Sequence, residues 1–119
     1  MKPEFIVGAY ASLPQGRPSQ ELYYMLLGEQ SWVRGTELPF PGDLANEDDR
    51  HWLAEHLPAH WHANSVTAIP GTMRRMNEDP WFGLASPQEA GRRDAIGFFE
   101  DLRLSLIHIS EPTRLRCIS

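Results

Sequence analysis

Apolar and polar positions alternate along this chain in blocks rather than residue by residue. Phe5–Ala11 is an apolar run with a β-branched pair, closed by Pro14-Gln15-Gly16. Trp32–Leu38 is a second run, closed by Pro39 and Pro41-Gly42, and Ser65–Ile69 is a third, closed by Pro70-Gly71. Short apolar runs bounded by turn residues predict strands covered on both faces.

Helical patterns lie between and after these runs. Ser19 is placed to cap a helix reaching Gly28, with Leu22, Met25 and Leu26 on one stripe. Asn46 is placed to cap a second, with the acidic Glu47-Asp48-Asp49 in its first turn, where the helix dipole favours negative charge. Leu53 and Leu57 mark its inner face, and Pro58 stops it. Ser86-Pro87-Gln88-Glu89 reads as a capping box with proline at the first helical position. Ala95, Phe99 and Leu102, supported by Ile96, then recur at helical spacing.

The strand runs start about 30 residues apart, the length of a strand–helix unit that feeds a parallel sheet with right-handed crossovers. The predicted fold class is therefore α/β: a partial (β/α)8 TIM barrel containing the first three βα units only. Closing such a barrel takes eight strands and about 250 residues, so the sequence is expected to be the N-terminal part of a longer domain.

The end of the chain has a different character. Leu104–Arg114 resembles, residue for residue, one reading frame of a transposase-based sequencing adapter, and Ile118-Ser119 matches the stretch that follows the adapter's index. The expected organisation is thus a truncated barrel domain over residues 1–103 and a non-native, adapter-derived tail over 104–119. Such scars are set aside before fold reasoning.

Composition narrows the function classes. The 119 residues are 41% hydrophobic and 23% charged, which is ordinary for a globular protein. No apolar run approaches the roughly 20 residues of a membrane span, and no secretory signal pattern opens the chain; a cytoplasmic protein without membrane partners is expected. A net charge of −5, from 11 Lys+Arg against 16 Asp+Glu, provides no basic stripe for nucleic acid. The one cysteine, Cys117, lies in the tail, which leaves no disulfide framework.

Four segments carry a family resemblance: Val7-Gly8-Ala9-Tyr10-Ala11, Gly35-Thr36-Glu37-Leu38-Pro39-Phe40, Thr67-Ala68-Ile69-Pro70-Gly71-Thr72-Met73, and Gly83–Pro87 continuing to Glu89-Ala90-Gly91-Arg92. Together they resemble a family of uncharacterised bacterial proteins, classed as a domain of unknown function, within the xylose isomerase-like TIM barrels. The resemblance implies relatives that include sugar isomerases, epimerases and a metal-dependent endonuclease branch. It also implies, for the full-length parent, a divalent metal held by Glu, Asp and His on later strands. Metal-binding relatives often carry a His after the third strand, where this sequence has Pro70-Gly71-Thr72.

Barrel geometry puts active-site groups at the carboxyl ends of strands, which selects Tyr10, Glu37, Thr72, Met73 and Arg74. Glu37 is the candidate catalytic residue, since a carboxylate at a barrel mouth can act as a general base, ligate a metal or bind hydroxyls. Its bland reading is a carboxylate hydrogen-bonded to backbone N–H groups to hold the loop. Tyr10, Thr72 and Arg74 are candidate substrate-binding residues: a ring or hydroxyl, a hydroxyl, and a guanidinium suited to an anionic group. His56 and His60 have metal-ligand spacing, but Pro58 between them breaks the helix, so no metal ligand and no cofactor-binding residue is assigned. Trp81-Phe82-Gly83 falls in a long segment after the third strand that reads as a loop, a lid or a substrate wall. The leading expectation is a parent sugar isomerase- or epimerase-like barrel acting on a small polar substrate, with this fragment inactive. The alternative is a barrel that binds a small molecule without catalysis.

Overall fold

The computed structural model describes residues 3–107 and, as backbone, 116–118. The elements run β1 (Phe5–Val7), α1 (Arg17–Gly28), β2 (Val33–Pro39), α2 (Glu47–His56), β3 (Ser65–Thr67), α3 (Ile69–Glu78), α4 (Glu89–Ile107) and β4 (Arg116–Ile118), with short 3-10 turns at Ala9–Ala11 and Gly42–Leu44. All strand pairs are parallel and the sheet order is β1-β2-β3-β4. The class is mixed α/β, as the block pattern predicts.

Strand pairing fixes which side chains share a face, because neighbours in register point the same way. Val7 pairs with Thr36, and Leu38 with Val66. Leu38 and Val66 belong to the core beside Tyr24, Leu53, Ala95 and Leu102, and Val7 packs against that core. This face therefore looks toward the helices. Glu37 pairs with Ser65 on the opposite face.

Two of the three strands are shorter than their apolar runs. β1 ends at Val7, because the chain then closes a turn in which Ser12 donates both its N–H and its hydroxyl to the Ala9 carbonyl, at 3.0 and 3.3 Å. β3 ends at Thr67, because Ala68 takes helical angles and α3 begins at once. Pro70 lies in the first turn of α3, where no N–H is needed. The segment expected to be a loop after the third strand thus opens with ten residues of helix. Gly71 explains the fit: a β-carbon there would collide with the Phe40 carbonyl.

Helix boundaries follow local chemistry. α1 starts at Arg17, two residues before Ser19, with Gly16 at φ +89° turning the chain and Pro18 in the first turn. Asn46 caps α2 as expected, its side-chain oxygen accepting from the Asp49 N–H at 2.8 Å. α2 ends before Leu57, which takes extended angles ahead of Pro58. At α4, Ser86 Oγ accepts from the Gln88 N–H at 3.1 Å.

On α1 the buried stripe is offset from the predicted one; on α4 the predicted Ala95 and Leu102 are buried and Phe99 packs against the core. On α1 the buried residue is Tyr24, flanked by Tyr23 and Leu27, while Leu22, Met25 and Leu26 are exposed. Tyr24 takes that place by meeting the Trp61 ring edge-on at 6.3 Å. On α4 the inner stripe is Gly91, Ala95, Phe98 and Leu102, continuing to Ser105 and Leu106, and Ile96 is exposed. Phe98 wins that stripe through edge contacts with Phe40 at 5.1 Å and Phe82 at 5.7 Å. Ser105 and Leu106 fall within the segment read as adapter-derived, as does β4.

Candidate functional site

The carboxyl ends of β1, β2 and β3 lie side by side, because the strands are parallel and sequential. Tyr10 occupies the turn after β1, and Thr72 and Arg74 lie on α3 directly after β3. Between them runs Pro39-Phe40-Pro41-Gly42, which leaves β2 through a cis Phe40–Pro41 peptide. Phe40 is tied to β3 by its N–H, which donates to the Thr67 carbonyl at 2.9 Å.

Two cavities flank this turn and share Pro39 and Gly42. One, of about 240 Å³, is lined by Tyr10, Leu13, Gln20, Tyr24, Leu38, Asp43 and Leu53 among others. The other, of about 310 Å³, lies between the turn and the start of α3 and includes Pro70, Gly71 and Arg74. Tyr10 and Arg74 are therefore on separate cavities.

Glu37 lines neither cavity. It sits within β2, two residues before the strand ends, half-buried and on the sheet face away from the helices. Among the described residues it makes no hydrogen bond and no ion pair, so it is not a loop-holding carboxylate bound to backbone N–H groups. On the same face, Ser65 is fully buried, and its hydroxyl has no partner among the described residues. The Thr72 hydroxyl is likewise buried without one, while Met73 and Arg74 are exposed. The neighbouring Arg75 instead lays its guanidinium over the Phe82 ring at 4.7 Å, which gives Phe82 a packing role.

The structure adds a charged cluster that sequence patterning misses. Arg17, at the start of α1, donates to Asp43 Oδ2 at 3.2 Å and to Asp49 Oδ1 at 2.6 Å, and its guanidinium lies 4.3 Å from the Trp52 ring centre. Gln20 Oε1 accepts from the same guanidinium at 2.8 Å. Burial works against the charge on Arg17, but its hydrogen bond to Asp49 and the charge of Asp43 outweigh it and raise its pKa. Asp49 is held below its ordinary value by hydrogen bonds from Asn46 and then Arg17. Tyr24 is pushed up to about 12 by burial and by the charge of Asp43. Asp43 and Arg17 are 26 positions apart, and no local motif joins them.

Among the described residues the histidines do not assemble a ligand set. His56 stacks on Trp52 at 4.2 Å and shares a hydrogen bond with the Trp52 carbonyl at 2.8 Å. Among the described residues no three His, Cys, Asp or Glu side chains gather around a common point. No helix of the described chain is long and apolar enough to cross a membrane.

Fold and site define an α/β protein whose parallel strands carry polar side chains and cavities at their carboxyl ends. Residues 6–119 match the domain of unknown function DUF4862, and the chain belongs to that family. It is 34% identical over 102 residues to the uncharacterized protein STM3670 of Salmonella typhimurium strain LT2, an alignment covering 82% of this chain and 32% of that protein. The chain thus spans about a third of the length of this curated relative. No solved structure matches it.

Proposed function

We propose that the chain supplies the first βα units of a (β/α)8 barrel of the xylose isomerase-like kind, and that the complete protein isomerises or epimerises a small, polar, sugar-like substrate. The observation that carries this reading is strand order. Within residues 1–103, β1, β2 and β3 lie in chain order with both pairs parallel and helices between them, as the first units of such a barrel would. The 32% coverage of the relative leaves room for the remaining units.

In this reading Glu37 is the general base. Its carboxylate takes the proton from the carbon next to the substrate carbonyl and returns it to the former carbonyl carbon for isomerisation, while a hydroxyl proton moves between the two oxygens; epimerisation takes a second acid on the opposite face, supplied by a later strand. A half-buried carboxylate with no protein partner among the described residues suits that task. Tyr10 and Arg74 line separate cavities, neither of which includes Glu37, so substrate contacts beside Glu37 would come from later strands. Glu37 would offer one donor to a divalent ion, and the described residues do not complete a site; such an ion in the complete protein would draw its other ligands from later strands. We also propose that residues 104–119 are foreign to the parent, on the strength of the residue-for-residue adapter match. Reading the uninterrupted gene downstream of codon 103 tests this directly.

The test of activity uses the complete protein with a panel of aldoses and ketoses in deuterated water. Product formation with deuterium at the α-carbon is expected. Glu37→Gln is expected to lower kcat by about 10² to 10⁴ with little change in KM. Saturable sugar binding without deuterium incorporation in the unmodified protein would instead establish a non-catalytic binding barrel.

A further inference from the structure

On the reading of Glu37 as the general base, on which this step rests, we propose that Ser65 is its positioning residue. The Ser65 hydroxyl donates to one oxygen of the Glu37 carboxylate and leaves the other oxygen free to take the substrate proton.

The buried hydroxyl carries the inference. Ser65 is fully buried, and its Oγ has no hydrogen-bond partner among the described residues. Buried polar groups are nearly always satisfied. An atom so closed to solvent is met by a neighbouring side chain rather than by a substrate. Glu37 is that neighbour. The two residues pair in register across β2 and β3, so their side chains leave the sheet on one face, about 5 Å apart. Glu37 is half-buried and makes no hydrogen bond or ion pair among the described residues, and its three side-chain torsions let it reach a hydroxyl at that spacing. Thr67, the next residue of β3 on this face, already accepts the Ile69 N–H through Oγ1 at 3.4 Å.

The register of the pair is pinned on both sides. Before it, the buried Asn64 accepts the Thr36 N–H through Oδ1 at 3.0 Å. After it, the Phe40 N–H donates to the Thr67 carbonyl at 2.9 Å. A β-carbon on Gly35, two residues before Glu37 on the same face, would collide with the Ala63 carbonyl, so the backbone closes the amino-terminal side of the pair. A hydrogen bond from a hydroxyl to an ionised carboxylate is short and directional, and it removes the torsional freedom that a glutamate otherwise keeps. With one oxygen held, the other stays aligned with the proton it removes, which is what a general base requires.

The test uses the complete protein. Ser65→Ala is expected to lower kcat about tenfold at unchanged KM, and to lower it no further in the Glu37→Gln background. An unchanged kcat in Ser65→Ala, a loss confined to KM, or an equal tenfold loss in both backgrounds would overturn the proposal. Should Ser65→Ala fail to fold, Ser65→Cys, a poor donor of similar shape, takes its place in each comparison. Should the unmodified protein incorporate no deuterium, the reading of Glu37 as a base falls, and the contact is decided by melting temperatures. Ser65→Ala, Glu37→Ala and the double variant are then compared: a double loss smaller than the sum of the single losses sustains the contact, and additive losses overturn it.

Discussion

Tyr24 shows how much one side chain can contribute here through its surroundings. Its folded pKa of about 12 lies above the unfolded value near 10, so between these pH values the unfolded chain loses a proton that the folded chain keeps. Stability is therefore full below about pH 10 and falls as pH rises toward 12, by on the order of 2 kcal/mol. Denaturant melts across this window should show the loss in the parent sequence and a flatter profile in Tyr24→Phe. Asp49 works at the other end of the scale. Its lowered pKa means stability that is present above the ordinary carboxylate value, near 4, and is lost as pH falls through the folded value. Arg17 and Asp49 are each about one-third exposed, so Arg17→Met should cost about 1 kcal/mol or less at pH 7 and reduce the acid-side slope; melts at pH 3 and pH 7 give both quantities. The Asn46 cap was legible in the sequence because it acts three residues away. The Arg17 contacts were not, because the fold alone brings α1 and α2 together.

At the scale of elements, glycines separate close packing from open helix. Gly71 lies where α3 crosses the Phe40–Pro41 turn, and an added methyl would meet the Phe40 carbonyl, the Phe98 ring and Pro41. Gly71→Ala should therefore destabilise by about 1–3 kcal/mol. Gly97, inside α4, has open space around its missing β-carbon, so Gly97→Ala should stabilise by about 0.5–1 kcal/mol through helix propensity. Thermal melts of the two single variants should move in opposite directions. Periodicity and turn residues made β2, α2 and the mixed α/β class legible, since those signals are local. α3 was hidden because Pro70-Gly71 reads as a turn in isolation, whereas the first turn of a helix accepts proline and the crossing requires glycine. The stripe on α1 reads beside its true position, and the one on α4 lacks Phe98, because Tyr24 and Phe98 pack against aromatic rings distant in sequence. The same distance effect governs the candidate site: strand ends point to Tyr10 and Arg74, while their separation onto two cavities emerges only in the folded chain.

The whole molecule leaves much apolar surface uncovered for its size. Leu22, Met25 and Leu26 on α1 are each at least half exposed, and Trp32, Ile69, Met73, Met76, Trp81, Leu84 and Ile96 are exposed on other segments. Large exposed apolar areas mark surfaces that other protein normally covers. In a closed barrel, the helix before α1 in the ring would cover its outer stripe, and the chain corresponds to only about a third of its relative. Alone, the chain should self-associate, with a sedimentation coefficient that rises with concentration. The substitutions Leu22→Gln and Met25→Lys should reduce that association, because they replace exposed apolar groups without opening a cavity. In the complete protein the same pair should lower the melting temperature, since there the stripe would be buried and a lysine would enter an apolar contact. A chain that stays monomeric at all concentrations, together with a complete protein indifferent to both substitutions, would mean that α1 faces water in either setting and that the sheet does not close beside it.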